Sequence, residues 1–439
     1  MPFCQVIVDI NHTDVDHVFT YRVPTGLDVC PGMRVHVPFG PRRLEGVVVE
    51  MAADCDLPPE RVKDICDTLE DYPAVLPPLL ELAKEIQRTS FCTLAVALRL
   101  MFPAQMRGQR IREKQQEVAV LTVAPDVMGQ VIAAQVRAPK RAKVLRALAD
   151  APDMELTTAA LRETVGDCRD ALNALCKMGF VKLEKRESLR RPYGEMERLS
   201  AQDPELTRQQ EDVLAELLPA VETGKGEFLL YGVTGSGKTE VFIRAVRRAA
   251  QMGKTAIVLV PEIALTPQMV SWFRSRFGED AAVLHSRLSP GERYDEWRRI
   301  RRGDVRVVIG ARSAIFAPLQ NVGLIIIDEE HEQSYIADNN PHYDARQLAH
   351  ERCAREGAAL LLASATPSMR SFAMAGRGDL RLLEMPRRVN NRPMPTVHVV
   401  DMREELKKGN RSVFSGALVN GLDRCLKSGR QAILFINRR

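Results

Sequence analysis

The densest chemistry in the chain lies in eight consecutive residues, Gly232-Val-Thr-Gly-Ser-Gly-Lys-Thr239. Gly232, Gly235 and Gly237, with Ser236 between the last two, free the backbone to wrap an anion with its N–H groups. The helix-like EVFIRAVRRAA that follows turns its N-terminal dipole toward the same charge. Lys238 is spaced to reach the outer phosphates of a nucleoside triphosphate, and the Thr239 hydroxyl to ligate Mg²⁺. ATP with Mg²⁺ is the cofactor pair that this pattern implies. A second cluster, Leu324-Ile-Ile-Ile-Asp-Glu-Glu-His331, delivers Asp328 from an apolar strand as a further Mg²⁺ holder and Glu329 as the group that orients and polarises a water. Alone, such an acidic cluster reads also as a solvated loop; beside a phosphate loop it reads as catalytic, and Lys238, Asp328 and Glu329 form the expected catalytic set. A third string, Ser364-Ala-Thr-Pro-Ser368, is by itself an ordinary turn. Its order and spacing after the other two give it meaning, because small hydroxyl residues at a strand's carboxyl end face the ligand crevice of an open α/β sheet.

These residues need a rigid support, and the flanking sequence supplies one. FLLYGV, TAIVLVP, VRVVIGA, LIIIDEE and ALLLASA are nearly continuous apolar runs separated by amphipathic helical patterns, as in a parallel sheet covered by helices on both faces. The resulting α/β nucleotide-binding lobe is expected over 201–386. Before it, residues 1–105 read as short β segments (CQVIVDI, HVFTYRVP, MRVHVPFG, EGVVVEM) with a Pro31-Gly32 turn, closed by a helix-like stretch ending at Pro103. Residues 106–200 follow a basic linker with three helical patterns and then VKLEKRE, the order of a winged helix, a fold that serves DNA or protein contacts alike. From 387 to 439, VHVVDM, GALVNGLDRCLKSG and QAILFINRR read as the start of another lobe that stops while a strand is being completed.

Composition limits the function classes. With 439 residues, 45% hydrophobic and 27% charged, the chain is that of a folded, water-soluble protein. No run approaches the roughly 18 to 20 apolar residues of a membrane span, and MPFCQVIVDINHTD lacks an export signature, so a cytoplasmic protein without membrane contact is expected. Nine cysteines at irregular spacing, with no CxxC pair, give neither a disulfide framework nor a zinc site. The net charge of +5 is mild, but basic runs at 107–114, 140–143, 185–191 and 298–302 suit either phosphate contacts or solvated helix faces.

The three motifs in this order distinguish a superfamily 2 helicase. Over its full length, through GVTGSGKTE, VLVPEIALTPQ, GARSAIFAPL, IIIDEEHEQSY and SATPS, the chain resembles the PriA family of bacterial replication-restart helicases, also called primosomal protein N′. The resemblance implies a RecA-like first lobe in which Gln210 contacts adenine and PEIALTPQ and GARSAIFAPL track single-stranded DNA. It points to Tyr335, His342, Tyr343 and Arg346 in the loop after the acidic cluster as residues coupling DNA contact to ATP turnover. Rings beside arginines suit stacking on bases, and they suit packing equally. It also implies an N-terminal pocket for the 3′ end of a nascent strand, with Phe19 as stacking platform, Gly40 as close backbone approach and Lys63 as charge partner; Phe19 also fits a core aromatic. Thr20 stands where some relatives carry an Asp that receives the 3′-hydroxyl. By the same resemblance the activity is ATP-dependent 3′ to 5′ unwinding at stalled or abandoned forks with reloading of the replicative helicase. The implied partners are forked and single-stranded DNA, other primosome proteins and single-stranded DNA-binding protein, the chain acting as a monomer. Zinc is expected only in a downstream region, and the second-lobe Arg also lies beyond Arg439, so these residues alone are expected to bind nucleotide and forked DNA but turn over ATP poorly. A fork-binding, partner-recruiting scaffold, and a double-strand translocase or RNA remodeller, are the rival readings.

Overall fold

The computed structural model describes residues 2–55, 57–58, 60–109, 114–124, 126–190, 204–262, 267–389, 393 and 395–436. The chain divides into two compact units, Met1–Val389 and Asn390–Arg439. Among the described residues no helix is long and apolar enough to cross a membrane.

The first unit opens on an antiparallel sheet of β1 (Phe3–Val8), β2 (Phe19–Arg22), β3 (Arg34–Phe39), β4 (Arg42–Ala52) and β5 (Asp67–Thr68), in the order β2-β1-β4-β3-β5. Strand alternation sends Cys4, Val6, Val8, Val35, Val37 and Val48 into one core. The Pro31-Gly32 turn needs its glycine twice over. Gly32 has φ +88°, and a Cβ there would sit 1.8 Å from the Val75 carbonyl oxygen. The helical stretch expected as one piece is broken: α1 (Pro77–Ser90) ends on Phe91 in the left-handed region, and α2 (Leu94–Leu98) restarts under a Thr93 side-chain cap.

Next come β6 (Gln115–Leu121), α3 (Met128–Ala134), α4 (Pro139–Ala149), β7 (Glu155–Thr157), α5 (Thr158–Val165), α6 (Arg169–Lys177) and β8 (Val181–Glu187). The sheet here, β7-β6-β8, is not a hairpin placed after three helices. Its central strand precedes all the helices of this segment, and VKLEKRE forms one strand paired with it along its length. That central strand is QQEVAVL, which directly follows the basic run and shares its polar character.

The remainder of the unit is α7 (Arg208–Thr223), β9 (Glu227–Gly232), α8 (Lys238–Gln251), β10 (Thr255–Leu259), α9 (Pro267–Phe277), β11 (Ala281–Leu284), α10 (Pro290–Arg302), β12 (Val307–Gly310), β13 (Val322–Ile327), α11 (Ala345–Glu356), β14 (Ala359–Ser364), α12 (Met369–Arg377) and β15 (Arg381–Met385). Its strands form a seven-stranded parallel sheet ordered β11-β12-β10-β13-β14-β9-β15. Alternate residues serve opposite faces: Ile325, Ile327, Leu360 and Leu362 join one core, Leu324, Ile326, Leu361 and Ala363 the other. Each such side chain contributes about 1.5–3 kcal/mol by leaving water, which makes the strand ends a stiff base for the loops they carry.

In the second unit the described residues form α13 (Met402–Lys407) and α14 (Gly416–Lys427). The strand expected at QAILFINRR does not form over its described residues, 431–436, where Ile433 is 96% exposed, and VHVVDM has no strand either, Val399 being 93% exposed. Apolar alternation makes a strand only where a neighbouring edge accepts its backbone hydrogen bonds.

Candidate functional site

The strand order explains why three distant motifs meet. β13, β14 and β9 are neighbours, with Ile327 level with Leu362 and Ser364 level with Tyr231, so the acidic cluster, the Ser364 turn and the glycine loop leave the sheet side by side at its carboxyl edge. The glycine loop is tight. A Cβ on Gly232 would come within 2.8 Å of Ser236 Oγ, and Gly237, at φ +87°, caps α8 in the left-handed region that glycine tolerates. Lys238 Nζ donates to the Gly232 carbonyl at 2.9 Å and lies 3.5 Å from Glu329 Oε1. Ser236 is buried, and its hydroxyl finds no hydrogen-bond partner among the described residues. Thr239 stands in the first turn of α8, where backbone N–H groups have no intrahelical acceptor.

Gln210 is buried at the start of α7. Its Oε1 accepts from the Thr207 N–H at 2.8 Å in a capping box, and its Nε2 donates to the Gly237 carbonyl at 3.1 Å, so it buttresses the loop directly.

Across the crevice, burial, reinforced by the Glu329 carboxylate and opposed by Lys238, pushes the Asp328 carboxyl up to about 6. Glu329 adopts φ +43°, a left-handed conformation rare for a side-chain-bearing residue, which aims its carboxylate away from the strand direction. Ser364 ties the motifs together. Its Oγ lies 2.8 Å from His331 Nδ1, donates toward Glu329 Oε2 at 3.4 Å, and accepts from the Thr366 N–H at 2.9 Å. Glu330 faces away from this group. Fully buried, it accepts from the Ser368 N–H at 2.6 Å and from the Ser371 hydroxyl at 2.8 Å, anchoring the start of α12.

In the loop after the cluster, where the sequence leaves stacking and packing equally open, the rings are drawn inward. Tyr335 is fully buried, and its hydroxyl donates to the Asp328 carbonyl at 2.6 Å; burial pushes its pKa well above the ordinary value. The ring of Tyr335 is packed within the fold, with its hydroxyl tied to the strand that bears Asp328. Tyr343 is part-buried edge-on against Phe316, centroids 5.1 Å apart, with the Arg312 guanidinium 5.6 Å from its ring. His342 Nδ1 lies 3.0 Å from the Ala337 carbonyl oxygen. Arg346 pairs with Asp344 at 2.8 Å and donates to the Glu330 carbonyl at 2.8 Å, which engages it within the fold. Sequence reasoning missed Arg312, which donates to the Ser334 and Ile336 carbonyls and so joins GARSAIFAPL to this loop. Of PEIALTPQ, residues 263–266 lie outside the described residues.

A second concavity, of about 400 Å³, opens on the N-terminal sheet and is lined by Phe19, Thr20, Gly40 and Lys63 together with His17 and Arg61. Phe19 sits 4.3 Å from His17 and edge-on to Phe39 at 5.2 Å, so its ring is held in place while still lining the pocket. Gly40, at φ +57°, turns β3 into β4 at the rim with open space where a side chain would be. All three residues expected here thus converge, from three separate segments. Arg61 and His17 were not anticipated, and no local pattern marks them.

The seven-stranded parallel lobe with this crevice has the make-up of a helicase lobe: residues 207–375 match the family described as DEAD/DEAH box helicase, and residues 5–103 match PriA_3primeBD, the 3′DNA-binding domain. Along its whole length the chain is similar to the PriA replication restart proteins. It is 35% identical over 502 residues to the replication restart protein PriA of Bacillus subtilis (strain 168), across 100% of this chain and 62% of that protein. It is 36% identical over 512 residues to the PriA of Synechocystis sp., across 100% of this chain and 61% of that protein. The chain therefore spans about three fifths of the length of these relatives. Among solved structures, RecG bound to a three-way DNA junction is 28% identical and aligns over 44% of this chain and 24% of its own, with a TM-score of 0.31.

Proposed function

We propose that this chain binds Mg·ATP at the Lys238 loop, binds DNA 3′ ends at the Phe19 pocket, and serves ATP-dependent 3′ to 5′ unwinding of forked DNA in replication restart. The observation that carries the reading is the convergence of Lys238, Asp328, Glu329 and Ser364 at three adjacent strand ends. The residues fit the cofactor: the loop is too tight for side chains at Gly232 and Gly237, an unpartnered buried hydroxyl lies within it, and the buried Asp328 carboxyl, its pKa raised to about 6, stands beside it. Thr239 and Asp328 would hold Mg²⁺, which neutralises phosphate charge.

Lys238 at present divides its donors between the Gly232 carbonyl and Glu329. With a triphosphate bound, Lys238 would turn its donors to phosphate, and the Glu329 carboxylate would be left to accept a hydrogen bond from water. Ser364 then carries the change outward, because the hydroxyl that reaches Glu329 also meets His331 and the Thr366 N–H. On the other side, Tyr335 links the Asp328 carbonyl to the loop that Arg312 grips, so nucleotide state and the GARSAIFAPL segment share one set of contacts. At the pocket, the Phe19 ring would stack on the terminal base while Lys63 and Arg61 face phosphate.

The test is nucleotide hydrolysis measured with no nucleic acid, with single-stranded DNA, with a fork bearing a free 3′ end, and with RNA. The reading expects nucleotide-dependent binding and stimulation to be strongest with the 3′-ended fork; equal response to RNA would contradict it.

A further inference from the structure

Four backbone and side-chain bonds strap the segment after β15 across the glycine loop. The Val233 N–H donates to the Met385 carbonyl at 3.1 Å, and the Val389 N–H donates to the Gly235 carbonyl at 3.0 Å. Between them, the Gln209 side chain accepts from the Arg387 N–H at 2.9 Å and donates to the Arg387 carbonyl at 3.4 Å. The strap lies close: a Cβ on Gly237 would come within 2.9 Å of Val389 Cγ2, and one on Gly235 within 3.9 Å of the Arg388 stem. Of the two backbone bonds, one uses a loop N–H, that of Val233, and the other the Gly235 carbonyl, so neither occupies an N–H group of α8, which begins at Lys238.

Arg388 is the exception within this strap. Its stem packs on Gly235, yet its Nε is buried with no hydrogen-bond partner among the described residues. Arg346 and Arg352 of the same unit, by contrast, are paired with the Asp344 and Glu356 carboxylates. A buried guanidinium N–H without an acceptor is costly, and the loop suited to polyphosphate lies against the stem of the same side chain.

We propose that Arg388 is a nucleotide-contacting residue, which donates to the phosphate chain from the strap side of the loop, opposite Lys238. The proposal rests on the reading of the Lys238 loop as the triphosphate site. It adds a contact supplied by Arg388, the last residue but one of the first unit. Fork geometry also favours Arg over Lys at such a position.

The experiment is calorimetric titration of the 439-residue protein with Mg·ATP, and separately with inorganic tripolyphosphate, for wild type, Arg388→Ala, Arg388→Gln, Arg388→Lys and Lys238→Ala. Expected are a loss of about tenfold in affinity for both ligands in Arg388→Ala and Arg388→Gln, partial recovery in Arg388→Lys, and unchanged melting temperatures. Wild-type affinity in Arg388→Gln beside a large loss in Lys238→Ala overturns the Arg388 contact and leaves the loop assignment standing. A loss for ATP but not for tripolyphosphate overturns the phosphate contact in favour of a base or ribose contact. Lys238→Ala binding as wild type does would overturn the loop assignment itself.

Discussion

The nucleotide crevice and the N-terminal pocket are built by opposite strategies. In the crevice every principal residue sits within a few positions of a fully buried parallel strand, and neighbouring strands bring contiguous motifs together. In the pocket, Phe19, Gly40 and Lys63 come from a strand, a hairpin turn and a loop, and each is an ordinary residue in an ordinary local sequence. A rigid sheet edge lets chemistry be written as short strings, whereas a surface pocket on a small antiparallel sheet distributes it.

The largest expected effect exploits that separation. Glu329→Gln should reduce hydrolysis by about 10²–10⁴-fold while Mg·ATP affinity and 3′-end binding persist, as single-turnover assays and fluorescence anisotropy would record. A loss of DNA binding in this variant would show that the two regions are not separable. Phe19→Ala supplies the converse. Removing the ring should weaken binding of a recessed 3′ end by about ten- to thirtyfold, the worth of one stacked base, with nucleotide affinity unaltered. Equal weakening for blunt and 3′-ended DNA would place Phe19 in the core instead.

A smaller effect separates the regions by pH. Mg²⁺ needs Asp328 ionised, but burial holds the free carboxyl near about 6. Affinity for Mg·ATP should be flat above about pH 7 and decline by about tenfold toward pH 5, a dependence abolished in Asp328→Asn. The sign for stability is the reverse. The folded value lies above the ordinary 3.8, so this group's contribution is complete below the window and lost as pH rises through about 6. Calorimetry on ligand-free protein checks it.

How much of the molecule is legible in its sequence follows the same division. Lys238, Asp328 and Ser364 are legible because an apolar strand followed by a polar loop is a local pattern, and the parallel sheet follows from runs buried on both faces. The surroundings of Tyr335 and Arg346 are open in the sequence for a physical reason. A ring or a guanidinium in a polar loop carries no local mark of whether the fold turns it outward or, as here, onto the Asp328 carbonyl and the Asp344 carboxylate. Val399 and Ile433 alternate as strands do, but no edge among the described residues of their unit pairs with them. The β6 strand escapes a reading of apolar pattern because its first half is polar and largely exposed, and nothing in the sequence after β15 marks Arg388 as lying against a loop far upstream.

The most direct measurement is calorimetric titration of the folded chain with ATP, with Mg²⁺ present and then removed by chelation. The account predicts saturable 1:1 binding that weakens sharply without Mg²⁺ and is lost by about a hundredfold or more in Lys238→Ala. Binding indifferent to both Mg²⁺ and Lys238 would contradict it.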